Sequence, residues 1–90
     1  MALIERGVPI VNRLGLHARP AAEFVKTASR FKCAVNVRKD STAVNGKSIM
    51  GMMMLAAEPG SEILIRALGD DSEHAVAELV ALVERGFGEA

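Results

Sequence analysis

Pro20 stands at the head of a stretch in which apolar side chains recur every three or four positions: Ala21, Phe24, Val25, Ala28 and Phe31. That spacing marks one face of a helix. The fixed φ and missing N–H of proline are tolerated only in the first turn of a helix. The helix over 18–31 must therefore begin at about Ala18, with Lys26 and Arg30 turned to solvent. His17 falls at its cap position, beside the guanidinium of Arg19.

The rest of the chain alternates between strand and helix signals. Residues 4–11, with Ile4, Val8, Ile10 and Val11, predict a first strand, and Gly7 and Pro9 within it point to a bulge or a sheet edge. Cys33, Val35 and Val37 alternate with Ala34, Asn36 and Arg38, the period of a half-buried strand. Lys39-Asp40-Ser41 turns the chain into a short partner, Thr42-Ala43-Val44. After the turn Asn45-Gly46-Lys47, Ser48 can cap a helix over 49–56 that ends before Pro59-Gly60. Ile63, Ile65 and Ala67 alternate in a last strand. Val76, Leu79, Val80 and Val83 then form a stripe on a final helix over about 72–85, with Gly86 as its stop. The order βαββαβα, with hairpin-length turns in the middle, predicts an α+β fold: a four-stranded, mainly antiparallel sheet with three helices on one face.

At this length, 90 residues, no second domain fits, and residues 1–90 read as one. Half of the residues are hydrophobic, yet Trp and Tyr are absent and Phe occurs three times, so the core must be aliphatic and methionine-rich. A formal net charge of zero, with both signs spread along the chain, provides neither a nucleic-acid footprint nor a polybasic membrane patch. The longest apolar stretch, residues 49–57, is far short of the roughly 20 residues a bilayer span requires. The first residues carry no signal-peptide pattern, and the lone Cys33 suits a reducing compartment as a small buried residue. The chain is expected to be cytoplasmic, with no cofactor.

A chain this small cannot hold a deep catalytic pocket, which favours chemistry on an exposed side chain. An imidazole at neutral pH presents a bare nitrogen that can attack phosphorus without an activating base. With His17 at a helix cap, the free N–H groups of Ala18 and Arg19 point to where a phosphoryl group on the ring would lie, and Arg19 can add a charge-assisted hydrogen bond. These residues alone leave open which ring nitrogen reacts. The plainer alternative is that His17 only caps a helix. His74, among Asp70, Asp71 and Glu73, reads as a solvated side chain, and Cys33, His17 and His74 lack zinc-site spacing. Gly46-Lys47-Ser48 lacks the upstream glycine of a P-loop, because Ser41 stands there.

The run Asn12-Arg13-Leu14-Gly15-Leu16-His17-Ala18-Arg19-Pro20-Ala21-Ala22 resembles, almost residue for residue, the active-site signature of the HPr family of bacterial phosphocarriers. The resemblance extends over about residues 4–86 and implies the HPr fold, an open-faced β-sandwich. It also implies a transfer intermediate rather than an enzyme, in which His17 takes phosphate from enzyme I, carries it on Nδ1 and passes it to an enzyme IIA domain. Arg19 would then stabilise the phosphoryl group.

The segment Asn45-Gly46-Lys47-Ser48-Ile49-Met50-Gly51-Met52-Met53-Met54-Leu55 resembles the regulatory motif of HPr proteins modified by HPr kinase/phosphorylase. Ser48 would be the regulatory serine, and Leu16, Ile49, Met50 and Met53 would face partners. Independently of that, Met50, Met52, Met53 and Met54 cover too much of a helix circumference to be buried together, so an exposed apolar patch is expected. A monomer is expected, because a shuttle must show one face to two partners in turn. Two alternatives stand beside sugar uptake. Leu82-Val83-Glu84-Arg85-Gly86-Phe87 looks like the nitrogen-related branch of the family, which feeds a regulatory relay. The other is an interaction module that docks through Ile49, Met50 and Met53 without transferring phosphate.

Overall fold

The computed structural model describes residues 2–89. Strand β1 (Ala2–Pro9) is followed by helix α1 (Ala18–Ala28), strands β2 (Ala34–Lys39) and β3 (Thr42–Asn45), helix α2 (Ile49–Met54), strand β4 (Glu62–Gly69) and helix α3 (Ser72–Glu84). A short 3₁₀ turn, Gly86–Gly88, comes after α3. The strands form one sheet in the order β1-β4-β2-β3. Every pairing is antiparallel, so the sheet is antiparallel throughout rather than mainly so.

Strand alternation builds the core. Val35 and Val37 of β2 and Ile63, Ile65 and Ala67 of β4 are buried, and they meet Ala21, Phe24 and Ala28 of α1 and Val76, Leu79 and Val83 of α3 in one cluster. Arg38 and Leu68, pointing the other way, are exposed. The helices therefore cover one face only. β1 is an edge strand, as Pro9 suggested, and its register against β4 runs without a bulge from Ala2–Gly69 to Pro9–Glu62.

Element ends differ from expectation for identifiable reasons. β1 stops at Pro9 instead of residue 11 because the chain opposite it leaves β4 and turns at Gly60, whose φ is +88°. Ile10 still exchanges hydrogen bonds with that turn, donating to Ser61 O and accepting from Gly60 N–H, each at 2.8 Å. α1 ends at Ala28 rather than 31 as Arg30 N–H and Phe31 N–H bond to Thr27 and Ala28, three residues back, in a tightened last turn. α2 ends at Met54 rather than 56, and Ala56 takes a φ of +49° that no helix continues.

The α1–β2 connection is tied to the start of α3 through Asp71, whose carboxylate accepts Lys32 N–H at 2.7 Å and Cys33 N–H at 2.9 Å. The Lys32 N–H bond is the main reason its carboxyl is held below the usual carboxylate range. A group depressed in this way stabilises the fold above its unfolded value, near ~3.9 for Asp, and its contribution fades as pH falls through the lower folded value. Acid titration of the melting temperature should show a drop below that range that Asp71→Asn partly lacks. Superimposable acid profiles of parent and variant would remove Asp71 from the account.

Candidate functional site

His17 is the cap residue of α1, with extended backbone (φ −79°, ψ −173°), and its side chain makes no cap hydrogen bond. Its carbonyl accepts Ala21 N–H at 3.0 Å, the first bond of the helix, so the N–H groups of Ala18 and Arg19 lie outside the helix's own ladder. The imidazole is 37% exposed. Helix start, ring and free donors therefore occupy the places expected from Pro20.

The loop before the helix is held by close packing. Gly15 has a φ of +69°, and a Cβ there would lie 2.4 Å from Ala57 O. That same carbonyl accepts Leu16 N–H at 2.9 Å, joining the loop to the segment that follows α2. Buried Asn12 donates through Nδ2 to Gly15 O at 2.8 Å. The tight turn continues as His17 N–H bonds to Gly15 O at 3.0 Å. Leu16, expected to face partners, is a core residue at 5% exposure, because the loop turns its side chain inward; Leu14 points outward at 69%.

A carboxylate that sequence reasoning did not anticipate closes the site. Glu89 Oε1 lies 3.1 Å from His17 Nε2 and accepts Asn12 Nδ2–H at 3.0 Å, and Oε2 lies 3.7 Å from Arg19 Nη1. Its side chain is only 13% exposed. The His17 hydrogen bond is the largest cause holding its carboxyl below the usual range, and Asn12 and Arg19 act in the same direction. Gly86 (φ +63°) and Phe87 (φ +58°) reverse the chain after α3, and Phe87 is buried, which brings Glu89 under the imidazole. His17 was expected to stand without a base beside it, but its Nε2 has a carboxylate partner.

At the second expected site, Ser48 caps α2, its Oγ accepting Gly51 N–H at 3.0 Å. Met52 is buried beneath the helix, while Ile49, Met50, Met53 and Met54 are exposed, Met50 at 75%. These side chains form the apolar patch that four crowded methionines predicted. His74 is exposed on α3, and Cys33 is buried, which raises its thiol pKa. Among the described residues no cluster of His, Cys, Asp and Glu could hold a metal ion, and no helix is long and apolar enough to cross a membrane.

The model of the family described as the PTS HPr component phosphorylation site matches residues 4–85. The chain belongs to the HPr family. It is 46% identical over 87 residues to the phosphocarrier protein HPr of Neisseria meningitidis serogroup A, covering 97% of this chain and 98% of that one. The fold matches the crystal structure of HPr from Thermoanaerobacter tengcongensis with a TM-score of 0.92 at 49% identity, covering 97% of this chain and 98% of the other. It also matches the catabolite-repression protein Crh of Bacillus subtilis, solved as a swapped dimer, with a TM-score of 0.75 at 42% identity over 92% and 95% of the two chains. Like its family, this HPr protein is a phosphocarrier of the phosphotransferase system and not an enzyme. Asn12 and Glu89 are the site residues that sequence reasoning passed over. Asn12 lies inside the signature run, and its ability to bond nearby backbone was a usable signal; nothing in Glu89's surroundings in the chain pairs it with residue 17.

Proposed function

We propose that His17 of this HPr protein accepts a phosphoryl group from phosphorylated enzyme I and passes it to an enzyme IIA domain. The observation that carries this reading is the half-exposed imidazole at the start of α1, next to N–H groups the helix does not use. A helix start favours an anion by about 0.3–1 kcal/mol at an exposed surface. A hold of that size lets the group leave again. Arg19 is exposed and, among the described residues, held by a long ion pair to Glu89, which leaves it able to turn toward a phosphoryl group. A reconstituted relay of enzyme I, this protein and a IIA domain tests the reading: labelled phosphate from phosphoenolpyruvate should reach the IIA domain only when this chain is present. Label that arrives without it, or stops on enzyme I, would contradict the carrier role.

The exposed Ile49, Met50 and Met53 side chains are the docking surface in this reading, and Ser48 beside them is a regulatory site for HPr kinase/phosphorylase. A phosphoserine would add roughly −1.5 to −2 charges at the edge of the patch. The effect would fall on the partner rather than on the fold, since negative charge is tolerated at a helix start. Ser48→Asp should weaken enzyme I binding about tenfold in calorimetry while the melting temperature holds. Ser48→Ala should leave binding intact and cost about 1 kcal/mol through the lost cap. Equal affinities for parent and Ser48→Asp would remove the regulatory assignment. The relay is read as acting from a monomer in the cytoplasm, and sedimentation at relay concentrations would expose a dimer of the kind seen for Crh.

A further inference from the structure

We propose that Glu89 is a positioning residue for phosphoryl transfer: its carboxylate accepts the Nε2–H of His17, fixes the tautomer whose bare nitrogen is Nδ1, and balances the charge that nitrogen's attack creates. The inference rests on the carrier reading and adds a residue to it.

An ionised carboxylate can only accept hydrogen bonds. Glu89 Oε1 lies 3.1 Å from Nε2, so the proton must sit on Nε2, and in the neutral ring the lone pair is then on Nδ1. The carboxylate is itself fixed. Asn12 is buried, bonds through Nδ2 to both Gly15 O and Glu89 Oε1, and so ties the acid to the same loop that carries His17. At 13% exposure the Glu89 side chain is largely shielded from competing water, which favours a lasting contact. The contact thus supplies a physical reason, in this chain, for the Nδ1 attachment that the family resemblance implies.

In the transfer step, the Nδ1 lone pair forms the N–P bond while the bond from phosphorus to its donor atom on enzyme I breaks and its electron pair leaves with that atom. The Nε2 proton stays on the ring, which becomes cationic. Glu89 faces that cation from the side away from phosphorus. A carboxylate placed behind a histidine works in the same way in hydrolytic triads, where it holds the tautomer and stabilises imidazolium without taking the proton. Oε2 meanwhile keeps Arg19 near the ring, at a distance of 3.7 Å that gives it up readily.

The test uses the full chain labelled with ¹⁵N and long-range ring correlations at alkaline pH, with exposed His74 as the internal reference. His17 of the parent should show the Nε2–H tautomer alone. Glu89→Gln should keep it, because an amide oxygen still accepts, whereas Glu89→Ala should show both tautomers in exchange. Phosphate uptake from enzyme I should slow about three- to fivefold in Glu89→Ala, the scale of a partly exposed ion pair, with Glu89→Gln between the two. An unchanged tautomer or an unchanged rate in Glu89→Ala overturns the proposal. The spectrum needs no partner protein, so it decides the tautomer even if the parent takes no phosphate, a result that would refute the carrier reading separately.

Discussion

His17→Ala should fold as the parent does and take up no phosphate. The two backbone bonds at this position, from His17 N–H to Gly15 O and from Ala21 N–H to His17 O, do not need the ring. The side chain makes no cap bond, and Glu89, its partner among the described residues, keeps Asn12. The loss of stability should therefore stay below about 1 kcal/mol, the scale of a partly exposed ion pair. Transfer, by contrast, has no second route. His74 is the other imidazole of the chain, and it sits on α3, apart from the α1 start and its free N–H groups. Enzyme I affinity, measured by calorimetry, should change by less than about twofold, because docking is assigned to Ile49, Met50 and Met53. Lost binding with transfer intact would reverse the assignment and favour an interaction module.

Gly15→Ala should have the second large effect, this time through the fold. A left-handed conformation costs a residue with a Cβ about 1–2 kcal/mol. The new methyl would also lie 2.4 Å from Ala57 O, a backbone atom that cannot rotate away, and relieving such overlap adds roughly 1–3 kcal/mol. Against the ~5–15 kcal/mol of a typical domain, a combined loss of about 2–5 kcal/mol is severe. Any relief by moving the loop would stretch the Leu16 N–H to Ala57 O bond and shift His17 away from α1, so transfer should fall even where the variant stays folded. Chemical denaturation together with the phosphorylation rate checks this. A variant with parental stability and rate would show that the turn yields without strain.

Gly60 offers a contrast that isolates the packing contribution. Its φ is +88°, yet a Cβ there meets nothing within 4 Å. Positive φ alone therefore marks a turn, whereas positive φ with a backbone oxygen in the path of the Cβ marks the part of the loop that fixes the functional residue.

The sequence made the architecture legible where periodicity and punctuation agreed. Pro20 placed the start of α1 at about Ala18, where it lies, and alternation in β2 and β4 named the buried side chains Val35, Val37, Ile63, Ile65 and Ala67. Element ends were harder because they depend on partners across the fold. β1 stops where its neighbour turns at Gly60, and α2 stops at a positive φ on Ala56 that alanine does not advertise. Leu16 was misplaced for a similar reason: the kink at Gly15 decides which loop leucine turns inward. In the site, His17, Arg19 and the cap of Ser48 belong to local signals within one run or one helix start. Glu89 does not. It reaches His17 only because Gly86 and Phe87 reverse the chain after α3, and a contact between residues 72 positions apart leaves no mark in local spacing.

Intact mass after incubation with enzyme I and phosphoenolpyruvate, repeated after brief acid treatment, tests the central claim most directly. One phosphate adduct should form that disappears in acid, as a phosphorus–nitrogen bond does, and it should be missing in His17→Ala. An adduct that survives acid, an adduct retained by His17→Ala, or no adduct with enzyme I shown active on another carrier would contradict it.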